Sequence, residues 1–501
     1  MKRDALKDLD SWFDRKNRKP LIIRGARQVG KTSLVRMLAE SRCEHLVEIN
    51  FDLNPEKSAL FASRDIEQII RLLEVDLDAD IVPGTTLLFL DEIQSAPEVI
   101  PLLRYFYEKM PALHVIAAGS LLEFVLAEHT FSMPVGRIEY LFMGPMNFSE
   151  FLAANGKEKL RGLLADYQLG DPLPQSIHET LLGLLKMYCI VGGMPAAVKA
   201  YAQGGDLRLA TREQSSILQT YRDDFSKYGN RINTRLLGTV FTAIPRLVGQ
   251  KIKYVNIDRN ERAKPLADCI DMLEMARVIY SVAHSTGNGI PLGAETNAKD
   301  RKPLFLDVGL LCCALGLKAT DLHQAESLIL VNSGAVAEQF AGQHLLYSGE
   351  SYAEPKLYYW NREQRSASSE VDYLLAHGSQ VVPVEIKAGK VGSLKSLHVF
   401  AAEKGSARAV RFNTDIPSRC MVSSAVASMQ PEPFELISLP LYLIGETNRL
   451  PLTLDLSPFA AARLASTGTP SSRISGRPSR AEQRCARPAQ RALRRPDRTA
   501  P

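Results

Sequence analysis

Over residues 1–146, short apolar runs alternate with stretches in which apolar positions recur at three- and four-residue steps. That alternation is the pattern of a parallel sheet flanked by helices. It predicts strands at Leu21–Arg24, Leu46–Phe51, Thr86–Leu90, His114–Ala118 and Glu139–Phe142. From about Asn147 to Tyr228 the period turns helical, most clearly over Leu160–Tyr167 and Glu179–Tyr188, with a tight turn at Gly192-Gly193-Met194-Pro195. Between Thr234 and Asp307 the chain reads as short helices, an amphipathic helix over Lys264–Met275, and a hairpin around His284–Gly289. That order fits a winged helix and equally a plain helical packing unit, because no basic cluster marks a recognition helix. After Gly334 a helix through Leu346 precedes strands at Lys356–Trp360, Val371–Leu375 and Val381–Ile386 and a further helix after Leu394, a second α/β unit.

The expected division is a nucleotide-binding α/β domain over 1–146, a helical connector over 147–232, a winged-helix-like region over 233–325, an α/β domain over 326–447 and a tail over 448–501. A chain of 501 residues is long enough for several separate cores. In the tail, Ser, Pro, Ala and Arg dominate and periodicity vanishes, which predicts disorder.

Charge adds one point. The formal net charge is +5, but ten arginines from Pro451 onward face only Asp455, Glu482 and Asp497, so the rest of the chain is near neutral. The weak basic balance is therefore no argument for a nucleic-acid groove. Seven cysteines are scattered without C-x-x-C pairs, which suggests neither a zinc site nor a disulfide framework and fits a reducing cytoplasm. No secretory leader and no membrane-length apolar run is visible.

The strongest chemical signal is Gly25-Ala26-Arg27-Gln28-Val29-Gly30-Lys31-Thr32, a full G-x-x-x-x-G-K-[ST] match between a strand and a helix that begins at Ser33. Glycines let backbone N–H groups turn toward phosphate oxygens, and the helix N-terminus adds partial positive charge. Lys31 would neutralise the β and γ phosphates of ATP, and Thr32 would place its hydroxyl on Mg²⁺. The apolar strand Leu87–Leu90 ends in Asp91 and Glu92, a Walker B arrangement in which Asp91 would hold Mg²⁺ and Glu92 would orient and deprotonate water. Ser120, after the next strand, is a candidate phosphate sensor and also a candidate helix N-cap, with Glu123 three residues on. Arg137 could stabilise the transferring phosphoryl group or serve as a surface ion-pair partner, and Arg27 is expected to shape the loop.

These residues, with Leu-Asp-Glu-Ile-Gln (90–94), Pro-Val-Gly-Arg (134–137), Val-Gly-Gly-Met-Pro (191–195), Leu-Asp-Val-Gly-Leu (306–310) and Glu385-Ile-Lys387, resemble prokaryotic AAA-type ATPases of the STAND-like branch over about residues 1–446. The resemblance implies an ATP-binding module, a winged-helix connector and a C-terminal domain similar to PD-(D/E)XK nucleases. Members of that family end near Pro-Leu-Tyr-Leu (440–443), so the tail departs from it. Glu370-Val-Asp372 and Glu385-Ile-Lys387 resemble the nuclease pattern, with Glu338 as an additional ligand. The turn at His377-Gly378-Ser379 would bring Asp372 and Glu385 together as hard oxygen ligands for Mg²⁺, with Lys387 on the same face. A solvated sheet face would explain each of these residues singly. Tyr358-Tyr359-Trp360 beside them could stack on bases or pack in the core.

Three functions follow as expectations: an ATPase that acts as a nucleotide-driven switch, an ATP-dependent nuclease acting on DNA or RNA, and a regulator that binds ATP and works through protein contacts; of nucleic-acid partners, DNA is expected before RNA. A homo-oligomer would be needed if an arginine finger came from a neighbouring subunit.

Overall fold

A computed structural model of the protein describes residues 1–128, 133–227, 233–317, 333–364, 367–389, 393–423 and 433–450. The first sheet contains β1 (Leu21–Arg24), β2 (His45–Asn50), β3 (Thr86–Asp91), β4 (His114–Gly119) and β5 (Glu139–Phe142) in the order β2-β3-β4-β1-β5, all parallel. Each strand lies where the apolar runs predict it, to within a residue or two. β3 and β4 are buried along their whole length because helices cover both faces, which is why they read as continuous apolar runs. Successive residues serve opposite faces. Leu87 and Phe89 join a core with helix Lys31–Arg42, and Leu88 and Leu90 join another with helix Ile66–Leu77.

The helical connector contains helices Glu158–Asp166, Gln175–Val191, Pro195–Ala202 and Leu207–Asp223. Two quoted motifs of no evident chemistry interlock here. The N–H of Gly193 donates to Asp307 Oδ2 at 2.6 Å, and Asp307 also caps helix Val308–Ala314 through the N–H of Leu310. Both glycines are needed by close approach: a Cβ on Gly192 would stand 2.1 Å from Asp307 Oδ1, and one on Gly193 2.0 Å from the Met146 carbonyl oxygen.

The second sheet has eight strands: β6 (Ile279–Ser285), β7 (Thr296–Phe305), β8 (Leu357–Gln364), β9 (Ala367–His377), β10 (Gln380–Ile386), β11 (Arg408–Asn413), β12 (Ser418–Val422) and β13 (Phe434–Pro440), in the order β12-β13-β11-β10-β9-β8-β6-β7. This corrects the expected division at 325/326. The hairpin β6–β7 forms as expected, but β6 pairs in parallel with β8, so the supposed wing is one end of the C-terminal sheet rather than part of a separate winged-helix region. Apolar periodicity located the hairpin and could not report its partner, because strand pairing is a long-range contact. One continuous core joins the phosphate-loop face of the first sheet, the connector helices and the near face of the second sheet. The predicted disorder of the tail falls from residue 451 onward outside the described residues. Residues 448–450, assigned to that tail, are packed: Leu450 is buried and Arg449 donates to the carbonyls of Leu164 and Tyr167.

Candidate functional site

The loop 25–30 joins β1 to helix Lys31–Arg42, and its backbone is shaped for close approach. Gly30 has φ 97°, and Gln28 reaches φ 63° without being a glycine, a conformation that costs energy and is held by its surroundings. Ala26 and Val29 are buried and contribute backbone to the cradle, whereas Gln28 and Ser33 are exposed. The Lys31 ammonium donates to the carbonyls of Gly25 at 3.0 Å and Ala26 at 2.9 Å. Burial pulls its pKa down to about 8, against the partly compensating charges of Glu92 and Asp91.

Asp91 ends β3, separated from β1 by β4, and Thr32 Oγ1 reaches its Oδ2 at 3.0 Å across that gap. Asn50 Nδ2, at the end of β2, donates to the same oxygen at 3.2 Å. Burial, then the neighbouring Glu92 charge, raises the Asp91 pKa. Glu92 turns out of the strand at φ 50°, and its Oε2 accepts from Gln94 Nε2 at 2.6 Å and Ser120 Oγ at 3.3 Å. Ser120 thus stands beside Glu92. Arg27 donates to Ser120 Oγ at 3.2 Å and pairs with Asp224 Oδ2 at 2.7 Å, tying the loop to the end of the connector helices. From the other side Arg3 donates to Val29 O at 2.5 Å, to Gly144 O at 2.8 Å and to Glu150 at 2.9 Å. The residues present fit MgATP: a curled amide loop, a buried lysine whose positive charge an anion would favour, and a hydroxyl–carboxylate pair of hard oxygens. Thr32 and Asp91 would hold the ion, which would neutralise phosphate charge.

Arg137 stands as a surface ion-pair partner, one of its two expected roles. It precedes β5, whose first residue pairs with the first residue of β1, so it lies at the edge of the sheet opposite the loop, ion-paired with Glu108 at 3.0 Å. Within its own chain it does not face the loop. Arg3, Asn50 and Asp224 went unnoticed in the sequence, since each reaches the loop only through folding; Gln94 carried a signal, its place in Leu-Asp-Glu-Ile-Gln.

A second linkage leaves the loop through Arg24, the residue before Gly25. Glu123, behind Ser120, accepts from Arg24 Nε at 2.8 Å and from Arg277 Nη2 at 2.8 Å. Arg277, at φ 55°, immediately precedes the run into β6. A cavity of about 590 Å³ opens beside this triad, lined by Glu123, Arg277, Glu274, Tyr280 and Glu354.

In the C-terminal sheet the expected residues do converge. Val384 pairs with Tyr373, which puts Asp372 opposite Glu385 at the next position, and the N–H of Ile386 donates to Asp372 Oδ2 at 2.7 Å. Lys387 is ion-paired with Glu385. Glu338, on helix Ser333–Leu346, faces the same cluster through Lys302, at 3.6 Å. Burial and then the Asp372 charge raise the pKa values of Glu385 and Glu338, and burial raises that of Asp372. Burial pulls the Lys302 ammonium down, and Glu338, Asp372 and Glu370 more than reverse it. Among the described residues no three His, Cys, Asp or Glu side chains are grouped as they stand to hold a metal ion. Tyr359 and Trp360 are buried, so core packing accounts for them.

Residues 17–152 match the family described as AAA domain, and residues 182–321 and 333–420 match two domains of unknown function (DUF8612 and DUF4143). No curated protein matches the chain. Among solved structures, the Walker-type ATPase PABY2304 of Pyrococcus abyssi is similar over 62% of this chain and 95% of its own, at 16% identity and a TM-score of 0.40. The Thermotoga maritima RuvB Holliday junction branch migration motor is similar over 60% and 93%, at 14% identity and a TM-score of 0.27. The Aeropyrum pernix ORC2 protein is similar over 67% and 92%, at 13% identity and a TM-score of 0.22. At such scores these likenesses carry no weight for this chain. With the phosphate loop, the strand ending in two carboxylates and the parallel sheet that positions them, residues 17–152 form an AAA-type P-loop ATPase domain that binds ATP.

Proposed function

We propose that the chain is an ATP-hydrolysing switch in which nucleotide turnover at the first sheet changes how the C-terminal sheet is held. The observation that carries this reading is the Glu123 carboxylate, shared between Arg24 at the root of the phosphate loop and Arg277 at the entry to β6. A shift of the loop around a triphosphate cannot move Arg24 without disturbing that shared bond. Lys31 neutralises phosphate charge, Thr32 and Asp91 hold Mg²⁺, Glu92 activates water, and Arg27 and Ser120 report the state of the γ phosphate. An arginine finger supplied by Arg137 has to come from a second copy of the chain, so this reading includes assembly during turnover.

The adjacency of Asp372 and Glu385 and the Lys387–Glu385 ion pair support a nuclease-like reading of the C-terminal sheet. In this reading it is an output module, and nucleic acid, DNA before RNA, is the partner to test first. Phosphate release by the purified chain, lost in Lys31→Ala, and nucleotide-dependent hydrogen exchange in β6, also lost in Lys31→Ala, test the switch together. Turnover that survives in Lys31→Ala sinks the ATPase assignment. Exchange in β6 that ignores nucleotide sinks the coupling and leaves an ATP-binding regulator. Degradation of nucleic acid with Mg²⁺ or Mn²⁺, abolished in Asp372→Ala, would replace the reading with an ATP-dependent nuclease.

A further inference from the structure

The carboxylate cluster on the second sheet is arranged around a side chain that no motif singled out. Lys302, on β7, is 3% exposed. Its ammonium lies 2.7 Å from Glu370 Oε1, 3.6 Å from Glu338 Oε2 and 5.2 Å from the centre of the Tyr359 ring. The remaining acids are taken up locally, Asp372 by the N–H of Ile386 and Glu385 by Lys387. Two carboxylate oxygens are buried without a hydrogen-bond partner, Glu338 Oε2 and Glu385 Oε2. The first faces the Lys302 ammonium beyond hydrogen-bond range. A buried ammonium can satisfy a group of carboxylates only through three donors, and a divalent cation would need six or more oxygens drawn close around it. An ammonium already held among these carboxylates offsets part of their charge, so a divalent cation gains less by entering beside it.

We propose that Lys302, paired with Glu370 and Glu338, is the resident cation of this carboxylate cluster, so that the native cluster binds no divalent metal. This rests on the nuclease-like reading of the sheet and adds to it: the placement of acids is that of a metal-dependent site, but the charge they were grouped around is supplied from β7. The unpartnered oxygens of Glu338 and Glu385 are the acceptors exposed when the ammonium is removed, and Asp372 would have to move toward them to complete a metal site.

The test is Mn²⁺ binding by the full chain without nucleotide, read by electron paramagnetic resonance. Wild type is expected to show no Mn²⁺ site that depends on Asp372, so that wild type and Asp372→Asn bind alike. Lys302→Met, which keeps the length and removes the charge, is expected to bind Mn²⁺ at least about tenfold more tightly, with the gain lost in Lys302→Met/Asp372→Asn. A wild-type site that disappears in Asp372→Asn overturns the proposal, as does a folded Lys302→Met chain that gains no site. If Lys302→Met fails to fold, the comparison of wild type with Asp372→Asn decides alone. ATP turnover measured on the same preparations keeps the two readings apart, because failure to hydrolyse ATP would sink the switch without altering the metal result.

Discussion

Thr32 and Asp91, 59 positions apart, meet at 3.0 Å between Oγ1 and Oδ2. The contact spans β4, and it brings the start of a helix to the end of a strand two places away in the sheet. Asp91→Asn keeps the shape and removes the charge, and is expected to lower ATP turnover about 10²-fold or more while leaving the fold intact. Steady-state phosphate release across a Mg²⁺ titration checks this, and an unchanged rate removes Asp91 from the site.

Glu92, the residue after β3, has a left-handed backbone conformation, and its carboxylate is held by Gln94 and Ser120. Glu92→Gln is expected to keep ATP affinity and to slow hydrolysis about 10²- to 10⁴-fold, the range for loss of a general base. Ser120→Ala should slow it less, since Gln94 still holds the carboxylate. Equal losses in both variants would assign the chemistry to Ser120.

Lys31 sets a pH dependence. Burial brings its folded pKa down to about 8, below its ordinary value of 10.5. Between these values the unfolded chain carries the proton and the folded chain does not, so this group makes the nucleotide-free protein more stable as pH rises through that window. A bound triphosphate favours the ammonium, so binding at about pH 9 must take up a proton, and affinity should fall up to about tenfold per pH unit above about 8. Calorimetry at that pH in buffers of different ionisation heat reads the proton directly. Identical heats in all buffers would show that Lys31 is already charged before ATP arrives.

Arg24 and Arg277 place two guanidinium groups on one carboxylate, with the Arg277 and Glu123 side chains only 7% and 15% exposed. Removing one partner of a buried pair leaves the other charge uncompensated, at a cost of about 3–5 kcal/mol. Glu123→Gln and Arg277→Gln should therefore each destabilise the chain, and the double variant by about 1–3 kcal/mol less than their sum. Chemical denaturation of the four proteins measures it, and strict additivity would break the proposed link between loop and second sheet.

Gly193 faces the Met146 carbonyl so closely that any side chain must displace backbone. Gly193→Ala is expected to cost more than about 3 kcal/mol, well beyond an exposed glycine such as Gly204, where a Cβ would meet nothing. Comparing the two variants by thermal unfolding separates close approach from a general effect of replacing glycine. Similar stabilities would show that the backbone yields at this point.

The phosphate loop could be read in advance because its chemistry is local: eight consecutive residues supply the glycines, the lysine and the hydroxyl, and the flanking apolar run and helix belong to the same short stretch. Asp91 and Glu92 were readable for a similar reason, as a buried strand advertises itself by unbroken apolar residues and its end by the first charges. Asp372, Glu385 and Lys387 were half readable. Alternation and a short turn put the acids opposite one another, and the charge between them was invisible.

That charge belongs to Lys302, on a strand that joins the sheet by pairing with neighbours from other parts of the chain, and nothing near it in sequence says which carboxylates it will meet. The same holds for Asp224 reaching Arg27, Arg277 sharing Glu123 with Arg24, and Arg137 lying on the far edge from the loop. Periodicity and turn chemistry act over a few residues and decide what each segment becomes. Which faces close on one another is settled by burial of apolar surface across the whole chain, and only that burial set the ion pairs and decided that the hairpin β6–β7 would complete the C-terminal sheet.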